Sequence, residues 1–182
     1  MDLRLTDTMV DLVEGGFDIA IRNSALKDSA LIARKLAPDR RIICASPAYI
    51  EQFGLPSTPD ELKKHSCIGL AGLETWSFDT ADGVKFVKTT GMLRTDNGEA
   101  MRDACVAGIG IALNSTWSVY EQLKSGELIP ILNEYPIHTQ TAIWAVYPSS
   151  RLVAHKVRVF IDYFLAQFGP QPYWDQLDSI TG

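Results

Sequence analysis

The sequence predicts an α/β fold whose strands and helices are divided between two lobes. Short apolar runs alternate with amphipathic segments along the 182 residues, a pattern typical of α/β proteins with mainly parallel sheets. The strand-forming runs fall into an early group at residues 1–45 and a middle group at residues 66–132. A long amphipathic helix at residues 153–169 has no strand group of its own. We therefore expect the run at residues 141–148 to return the chain to the first lobe, so that two strands cross between the lobes.

The apolar runs of the first lobe predict one helix among four strands. The elements are a strand at residues 3–5, a helix from Thr6 to Gly15-Gly16, and strands at residues 17–22, 31–37 and 41–45. Thr6 precedes the apolar face of the helix and is its expected N-cap. The run FDIAIR at residues 17–22 is apolar enough to predict a buried parallel strand.

Caps and turns delimit the elements of the second lobe. Ser46 is the expected N-cap of a helix that has proline at its first position and ends at Gly54. The remaining predicted elements, in order, are a short helix after Thr58-Pro59, a strand at residues 66–70, a hairpin turning at Asp82-Gly83, a helix capped by Asp96 or Asn97, a strand at residues 109–113, a helix capped by Asn114-Ser115 and ending at Gly126, and a strand at residues 128–132.

The helix at residues 153–169 is the most regular of the predicted elements. Its apolar residues recur on one helical face, at Val153, Val157, Phe160, Ile161, Phe164, Leu165 and Phe168. Gly169-Pro170 ends the helix. The remainder, residues 170–182, is expected to be a loose tail.

Composition and charge exclude several classes of function. A formal net charge of −5 without any run of Lys or Arg does not fit a nucleic-acid-binding surface. No apolar stretch reaches the length of a membrane span, and Met1 is followed by DLRLTD rather than by a signal segment. The three cysteines share no CxxC motif, so neither a zinc site nor a redox motif is indicated, and free thiols suit a reducing compartment. We expect a cytoplasmic protein without a cofactor.

The segment CVAGIGIALNS, residues 105–115, contains a Gly-x-Gly pair that resembles part of a phosphate-binding loop. The third glycine of the dinucleotide motif is absent, because position 113 is leucine. The order of elements is also reversed, since these glycines follow a helix and open a strand. We therefore expect Gly108 to end the helix with a positive φ, and Gly110 to allow close packing of the next strand.

Polar residues follow two neighbouring strands of the predicted second lobe. Asn97-Gly98 and Asn114-Ser115 each lie where a strand ends and a helix begins. Helix N-termini present unpaired N–H groups and a partial positive charge, so two of them at adjacent strand ends favour an anionic or carboxylate ligand. The alternative is that these residues are only N-caps, which is the usual role of Asn and Ser at such positions.

Arg22 ends the run FDIAIR and is a second candidate for ligand contact. An arginine at the carboxyl end of a buried strand can face a ligand crevice, and its planar guanidinium suits a carboxylate. The alternative is a surface arginine paired with Asp18 or Asp28.

The sequence does not indicate catalysis. His65, His138 and His155 are isolated and lack metal-ligand spacing. Ser46 precedes proline, as expected of an N-cap rather than of a nucleophile, and no G-x-S-x-G motif occurs. We expect a protein that is not an enzyme.

Several segments together resemble one family. DLRLTDTMVDLVEGGFDIAIR, LIARKLAPDRRIICASPAYI, GLPSTPDELKKHSCI, NGEAMRDACVAGIGIALNS and VRVFIDYFLAQF resemble, in this order, the effector-binding domain of LysR-type transcriptional regulators. The resemblance runs from residue 2 to about residue 169. It implies a two-lobed fold similar to type 2 periplasmic binding proteins, a small-molecule inducer in the cleft between the lobes, and a homo-oligomer. The implied ligand-binding positions are Thr6, Arg22, Asn97, Gly98, Asn114 and Ser115, with Ser46 near the hinge.

The lobes implied by this resemblance are residues 1–45 with 147–169 and residues 46–146, followed by a tail at residues 170–182. The helix-turn-helix domain and linker helix of the family have no counterpart in the sequence, and neither do the first strand and first helix of the first lobe. DNA is therefore expected to be a partner only through the absent N-terminal domain. Because the missing strand would leave backbone groups and apolar faces uncovered, we expect self-association. The alternatives are a solute-binding protein of a transport system and a small α/β enzyme.

Overall fold

Two units, each with its own sheet, are present in the computed structural model, which describes residues 1–7, 10–25, 31–149 and 154–176. Unit 1 comprises Met1–Asp39 and Gln140–Gln176, and unit 2 comprises Arg40–Thr139. Both divisions fall earlier in the chain than residues 45 and 146, where the sequence placed them. Among the described strands, the one beginning at Arg41 pairs with strands of unit 2, and the one beginning at Ala142 pairs with strands of unit 1.

Strands and helices alternate along the described chain. The elements are β1 Ala20–Ser24, β2 Leu31–Pro38, β3 Arg41–Ala45, α1 Pro47–Phe53, a 3₁₀ helix Pro59–Lys64, β4 Gly69–Leu70, β5 Thr75–Thr80, β6 Gly83–Lys88, β7 Arg94–Thr95, α2 Gly98–Val106, β8 Ala112–Ser115, α3 Thr116–Ser125, β9 Ile129–Pro130, β10 Ala142–Pro148, α4 His155–Phe168 and a 3₁₀ helix Tyr173–Asp175.

In unit 1, β10 lies between β1 and β2 and pairs antiparallel with both. The register places Trp144 of β10 beside Arg22 of β1. Helix α4 packs against β2 and buries Val157 and Ile161. The expectation of a parallel strand at residues 17–22 was therefore wrong. Apolar runs reveal burial but not strand direction, and β10 returns from unit 2 in the opposite sense to β1.

The strand expected at residues 3–5 and the helix expected after Thr6 are not found. The described part of residues 1–16 contains neither a strand nor a helix, and residues 8–9 lie outside it. Hydrogen bonds within the segment explain why the expected helix does not form. The side chain of Asp11 accepts the backbone N–H groups two and three residues further on, at 2.8 and 3.0 Å. An aspartate that bonds its own backbone in this way favours a turn over a continuing helix.

The sheet of unit 2 mixes both strand directions. β3 pairs antiparallel with β8 and β9, whereas β4 pairs parallel with β7. A parallel bridge between Cys67 and Ile111 joins the two groups, so β4 lies between β7 and β8. β5 and β6 form an antiparallel hairpin. In the described residues, the expected parallel pairing is found only among β4, β7 and β8.

Two buried apolar clusters stabilise unit 2. The first cluster includes Trp76, Phe78 and Val87 of the hairpin, together with Leu62 of the 3₁₀ helix. The second lies where α2 and α3 pack on the sheet, and it includes Cys44, Ile68, Met101, Cys105, Ala112, Val119, Leu123 and Leu128. Burying one large apolar side chain contributes about 1.5–3 kcal/mol, so these clusters are the main favourable term for this unit.

Two helix caps agree with the sequence. Ser46 Oγ accepts the N–H of Tyr49 at 3.3 Å, which confirms Ser46 as the N-cap of α1. Of the two candidates for α2, Asn97 rather than Asp96 is the cap, because Asn97 Oδ1 accepts the N–H of Ala100 at 2.8 Å.

Substituting Ser46→Ala is expected to lower the free energy of unfolding by about 1 kcal/mol, because the N–H of Tyr49 loses its acceptor. Thr58→Ala is the matched control, since Thr58 occupies the N-cap of a 3₁₀ helix without a side-chain cap bond. Urea unfolding followed by circular dichroism measures both changes. Equal losses in the two variants would show that the Ser46 cap bond contributes nothing.

The other predicted elements of unit 2 differ from the structure mainly at their ends. Thr80 pairs with Gly83, so the hairpin turns at Ala81-Asp82 and not at Asp82-Gly83. The strands expected at residues 66–70, 109–113 and 128–132 correspond to the shorter or shifted β4, β8 and β9. Since β8 extends to Ser115, Asn114 lies within the strand and does not cap α3.

The glycines of the Gly-x-Gly pair have the structural roles expected from the sequence. Gly108 follows the C-cap residue of α2, Ala107, and adopts φ 77°; its N–H donates to Cys105 O at 3.1 Å. At Gly110, a Cβ would lie 2.4 Å from Ser66 O, so only glycine allows this approach of two backbones. The pair ends a helix and packs a strand, and it does not form a phosphate-binding loop.

The segment after α4 is ordered as far as Gln176, so the expectation of a loose tail from residue 170 was wrong for its described part. The Trp174 side chain is 3% exposed, and its ring lies 4.9 Å from that of Phe168 in a T-shaped arrangement. Large aromatic side chains gain most from burial, so Trp174 holds this segment against unit 1. Residues 177–182 lie outside the described residues.

Candidate functional site

The carboxyl ends of three parallel strands meet at one edge of the unit 2 sheet. We name residues 95–98 and 114–116 the strand-end edge. The pairing of β4 with β7 and the parallel bridge to β8 place Leu70, Thr95 and Asn114 at about the same level. With strands about 4.8 Å apart, the backbones of Thr95 and Asn114 are about 10 Å from each other. Helices α2 and α3 begin shortly after β7 and β8, so both N-termini lie at this edge.

The N-terminus of α2 is the accessible part of the strand-end edge. The Asn97 side chain is exposed, and its backbone N–H donates to Thr95 Oγ1 at 3.0 Å. A Cβ on Gly98 would have no atom within 4 Å, so the first residue of α2 faces open space. Sequence reasoning missed Thr95, although a threonine two residues before an N-cap is a known signal for such a turn.

The N-terminus of α3 is more enclosed. Asn114 is 1% exposed; its Nδ2 donates to Cys44 Sγ at 3.4 Å, and its Oδ1 has no partner within the described part of the chain. Ser115, also buried, occupies the N-cap position without a side-chain cap bond. Thr116 Oγ1 donates to Arg40 O at 3.2 Å, a contact that the sequence did not indicate. An orphaned buried acceptor costs about 1–3 kcal/mol, so Asn114 is held at an energetic disadvantage.

Ser46 does not lie at the strand-end edge. Ser115 pairs with Arg41 at the beginning of β3, whereas Ser46 directly follows the end of this strand. At about 3.3 Å per residue, Ser46 and Ser115 are separated by roughly 16 Å along β3. The hydroxyl of Ser46 is engaged in the α1 cap. Its contact with a ligand stays a prediction.

The other two candidates, Arg22 and Thr6, belong to unit 1, whereas the strand-end edge belongs to unit 2. Arg22 Nη2 donates to Val10 O at 2.7 Å, which ties the N-terminal segment to β1. Asp18, one of the expected partners of Arg22, instead accepts from Lys156 Nζ at 2.5 Å, and Asp28 lies outside the described residues. Thr6 is exposed in an irregular segment. Ligand contacts by Arg22 and Thr6 stay predictions.

An open depression of about 510 Å³ lies elsewhere in unit 2, between the 3₁₀ helix Pro59–Lys64 and the β5–β6 turn. Asp60, which lines the depression, accepts hydrogen bonds from Lys63 at 3.1 Å and from Lys85. These hydrogen bonds lower the pKa of Asp60, that from Lys85 most strongly. The carboxylate of Asp60 in this depression is therefore already paired.

The described residues contain neither a cluster of metal-ligating side chains nor a helix suited to span a membrane. Across residues 1–7, 10–25, 31–149 and 154–176, no group of three or more His, Cys, Asp or Glu side chains could hold a metal ion. Within the same ranges, no helix has both the length and the apolar character needed to cross a membrane. The strand-end edge has two helix N-termini and one unpartnered acceptor, which suit recognition of a small polar ligand.

Comparison with known sequences gives a consistent result. A family model described as LysR substrate binding domain matches residues 1–169. The HTH-type transcriptional regulator DmlR of Escherichia coli (strain K12) is 37% identical over 171 residues, which cover 92% of this chain and 55% of the relative. The HTH-type transcriptional regulator CrgA of Neisseria meningitidis (serogroup C, strain 8013) is 34% identical, covering 93% of this chain and 57% of the relative. The chain thus spans about half the length of the curated relatives that it matches.

Solved structures agree with the family model. The regulatory domain of CrgA, a LysR-type transcriptional regulator from Neisseria meningitidis, superposes with a TM-score of 0.76 at 35% identity, covering 86% of this chain and 78% of that domain. The full-length Vibrio cholerae virulence activator AphB superposes with a TM-score of 0.77 at 26% identity, covering 91% of this chain and 57% of AphB. These matches agree with the α/β, two-lobed periplasmic-binding-protein-like fold expected from the resemblance.

Proposed function

This chain belongs to the LysR substrate-binding domain family, and on that premise we propose that it senses a small-molecule effector for a transcriptional regulator. The observation that carries the proposal is the match of the family model across residues 1–169, supported by relatives named as HTH-type transcriptional regulators. In this proposal the chain is not an enzyme and acts in the cytoplasm. The division of the chain into two units supports a two-lobed domain.

The effector in this proposal is a carboxylate or another small anion, and the strand-end edge contributes to its binding. Two helix N-termini favour negative charge there. Gly98 leaves room for close approach. The unpartnered Oδ1 of Asn114 can accept a hydrogen bond from water or from a hydroxyl group of the effector, though not from its carboxylate. The wider set of predicted positions also includes Ser115, Ser46, Arg22 and Thr6.

The effector would act by shifting an equilibrium between two states of the regulator. A ligand does this only to the extent that it binds one state more tightly than the other. DNA recognition then belongs to a part of the regulator other than this domain, and the domain associates with copies of itself. The runner-up function is a solute-binding protein of a transport system. The relatives reported above are named as regulators, which favours effector sensing.

Introducing a negative charge at position 97 tests whether the ligand is an anion. Asn97→Asp and Asn97→Ser both keep a side-chain acceptor for the α2 cap, so both variants are expected to retain nearly the wild-type melting temperature. Only Asp adds a negative charge, so it is expected to weaken carboxylate binding by about tenfold, equivalent to about 1.4 kcal/mol. Ser is expected to bind within a few-fold of wild type.

The measurement uses the chain with acetate, succinate and benzoate as probes, first by thermal shift and then by isothermal titration calorimetry. Gly98→Ala is a further variant: it is expected to leave stability unchanged because its methyl group meets no protein atom, but to obstruct a ligand at this position. If no probe raises the melting temperature, the proposed carboxylate class is wrong. If a probe binds Asn97→Asp and wild type equally, the ligand lies away from the α2 N-terminus.

A further inference from the structure

Two cysteine side chains are in contact inside unit 2. Cys44 belongs to β3 and Cys105 to α2, and both are 0% exposed. Cys105 Sγ donates to Cys44 O at 3.3 Å, and both side chains belong to the same buried cluster. The two residues are separated by 61 positions in the sequence, so the contact is made by the packing of α2 on the sheet.

The two thiols have different environments. The amide of Asn114 donates to Cys44 Sγ at 3.4 Å, whereas the thiol of Cys105 donates to the backbone carbonyl of Cys44. The hydrogen bond from Cys105 is the main reason why the pKa of Cys44 lies below its usual value, although burial opposes it; the Asn114 amide lowers it further. Hydrogen bonding to Cys44 and burial raise the pKa of Cys105 well above its usual range. Of the two thiols, Cys44 is therefore the one that ionises more readily.

The third cysteine is a natural control within the same unit. Cys67 is also buried, and its Sγ donates to Leu62 O at 3.6 Å without a second thiol beside it. Burial raises the pKa of Cys67 to about 12. A thiolate is the reactive form of cysteine, so Cys67 is expected to be much less reactive than Cys44.

We propose that Cys44 and Cys105 form an intramolecular disulfide when the chain meets a hydroperoxide, which ties β3 to α2. The Cys44 thiolate attacks the peroxide O–O bond, giving a sulfenic acid and releasing hydroxide, which takes up a proton to form water. The Cys105 sulfur then attacks the Cys44 sulfur as its thiol proton is lost, the S–O bond breaks, and a second water leaves. Hydrogen peroxide is reduced to two water molecules while two thiols become one disulfide.

Burial sets the rate of this reaction. Because neither sulfur is exposed, an oxidant reaches Cys44 only when the packing between α2 and the sheet opens locally. Hydrogen peroxide is small enough to enter through such an opening, whereas a bulky thiol reagent requires a larger one. Oxidation is therefore expected to be slow compared with that of an exposed thiol, but selective for this pair.

The test treats the folded chain with hydrogen peroxide and maps its peptides without reduction. The expected product has lost two hydrogen atoms and contains a Cys44–Cys105 cross-linked peptide, with Cys67 still a free thiol. Cys67→Ala is expected to give the same product. Cys105→Ala is expected to give no Cys44 cross-link, because the second sulfur is absent. Circular dichroism checks that each variant is folded.

Asn114→Leu tests whether the hydrogen bond from the Asn114 amide to Cys44 Sγ promotes disulfide formation, or whether the closeness of the two cysteines is enough. This substitution keeps a buried side chain of similar size but removes the amide donor to Cys44, so cross-linking is expected to slow several-fold. The proposal is overturned if the wild-type chain yields no Cys44–Cys105 peptide, or if Cys67 is oxidised first. An unchanged rate in folded Asn114→Leu would overturn the assignment of Cys44 as the attacking thiol.

Discussion

Trp174→Ala is expected to destabilise the chain by about 3–5 kcal/mol, the range typical of replacing a buried large aromatic side chain. The ring is 3% exposed and packs against Phe168, so alanine would leave a cavity at the end of unit 1. Urea unfolding followed by far-ultraviolet circular dichroism measures the change without relying on tryptophan fluorescence.

Two further variants define what the Trp174 ring contributes. Trp174→Phe keeps an aromatic ring and removes the indole N–H, which is buried and has no partner among the described residues, so a much smaller loss is expected. Tyr163→Ala is the surface control, because this side chain of α4 is 59% exposed. If Trp174→Ala costs no more than Tyr163→Ala, the segment at residues 170–176 is the loose tail that the sequence suggested.

Gly110→Ala has the second largest expected effect. It is expected to lower the free energy of unfolding by about 2–4 kcal/mol, because it overpacks the core and weakens two hydrogen bonds. A Cβ at this position would lie 2.4 Å from Ser66 O and 3.3 Å from Ile68 Cγ1. Relieving the clash separates two backbone segments that are joined by Ile111 N–H to Ser66 O at 2.9 Å and Ile68 N–H to Ile111 O at 2.8 Å.

Gly98→Ala is the matched control for Gly110→Ala. It adds the same methyl group at a helical position where nothing lies within 4 Å, so the free energy of unfolding is expected to stay the same or rise. Thermal unfolding of the two variants beside wild type makes the comparison. Equal melting temperatures would show that the approach of Gly110 to residue 66 is not tight in solution.

The sequence predicted the structure best at helix caps, at a glycine with positive φ and along an amphipathic helix, because these features depend on the local residue type. Ser46 before proline predicted the α1 cap, and the position of Gly108 after α2 predicted a positive φ. The late amphipathic pattern predicted α4, of which residues 155–168 are observed. Such features depend on neighbours within a few residues, so the sequence alone carries them.

Strand direction and the role of polar residues depended on distant parts of the chain. The apolar run before Arg22 suggested a parallel strand, but its partner is an antiparallel strand more than a hundred residues away. Asn114 resembled a helix cap, yet its pairing with Ile42 extends β8 through Ser115 and buries the amide against Cys44. Apolar periodicity shows that a segment is buried without naming its partner.

The sequence by itself determined the family, the α/β class and the ends of several helices, because motifs and caps are local and ordered along the chain. Only the tertiary structure decided which polar groups share an edge and which sulfurs touch. Asn97 and Asn114 are brought to one side of the sheet by strand register, and Cys44 meets Cys105 through helix packing. Both contacts join segments far apart in sequence, so they follow from the packed core rather than from local patterns.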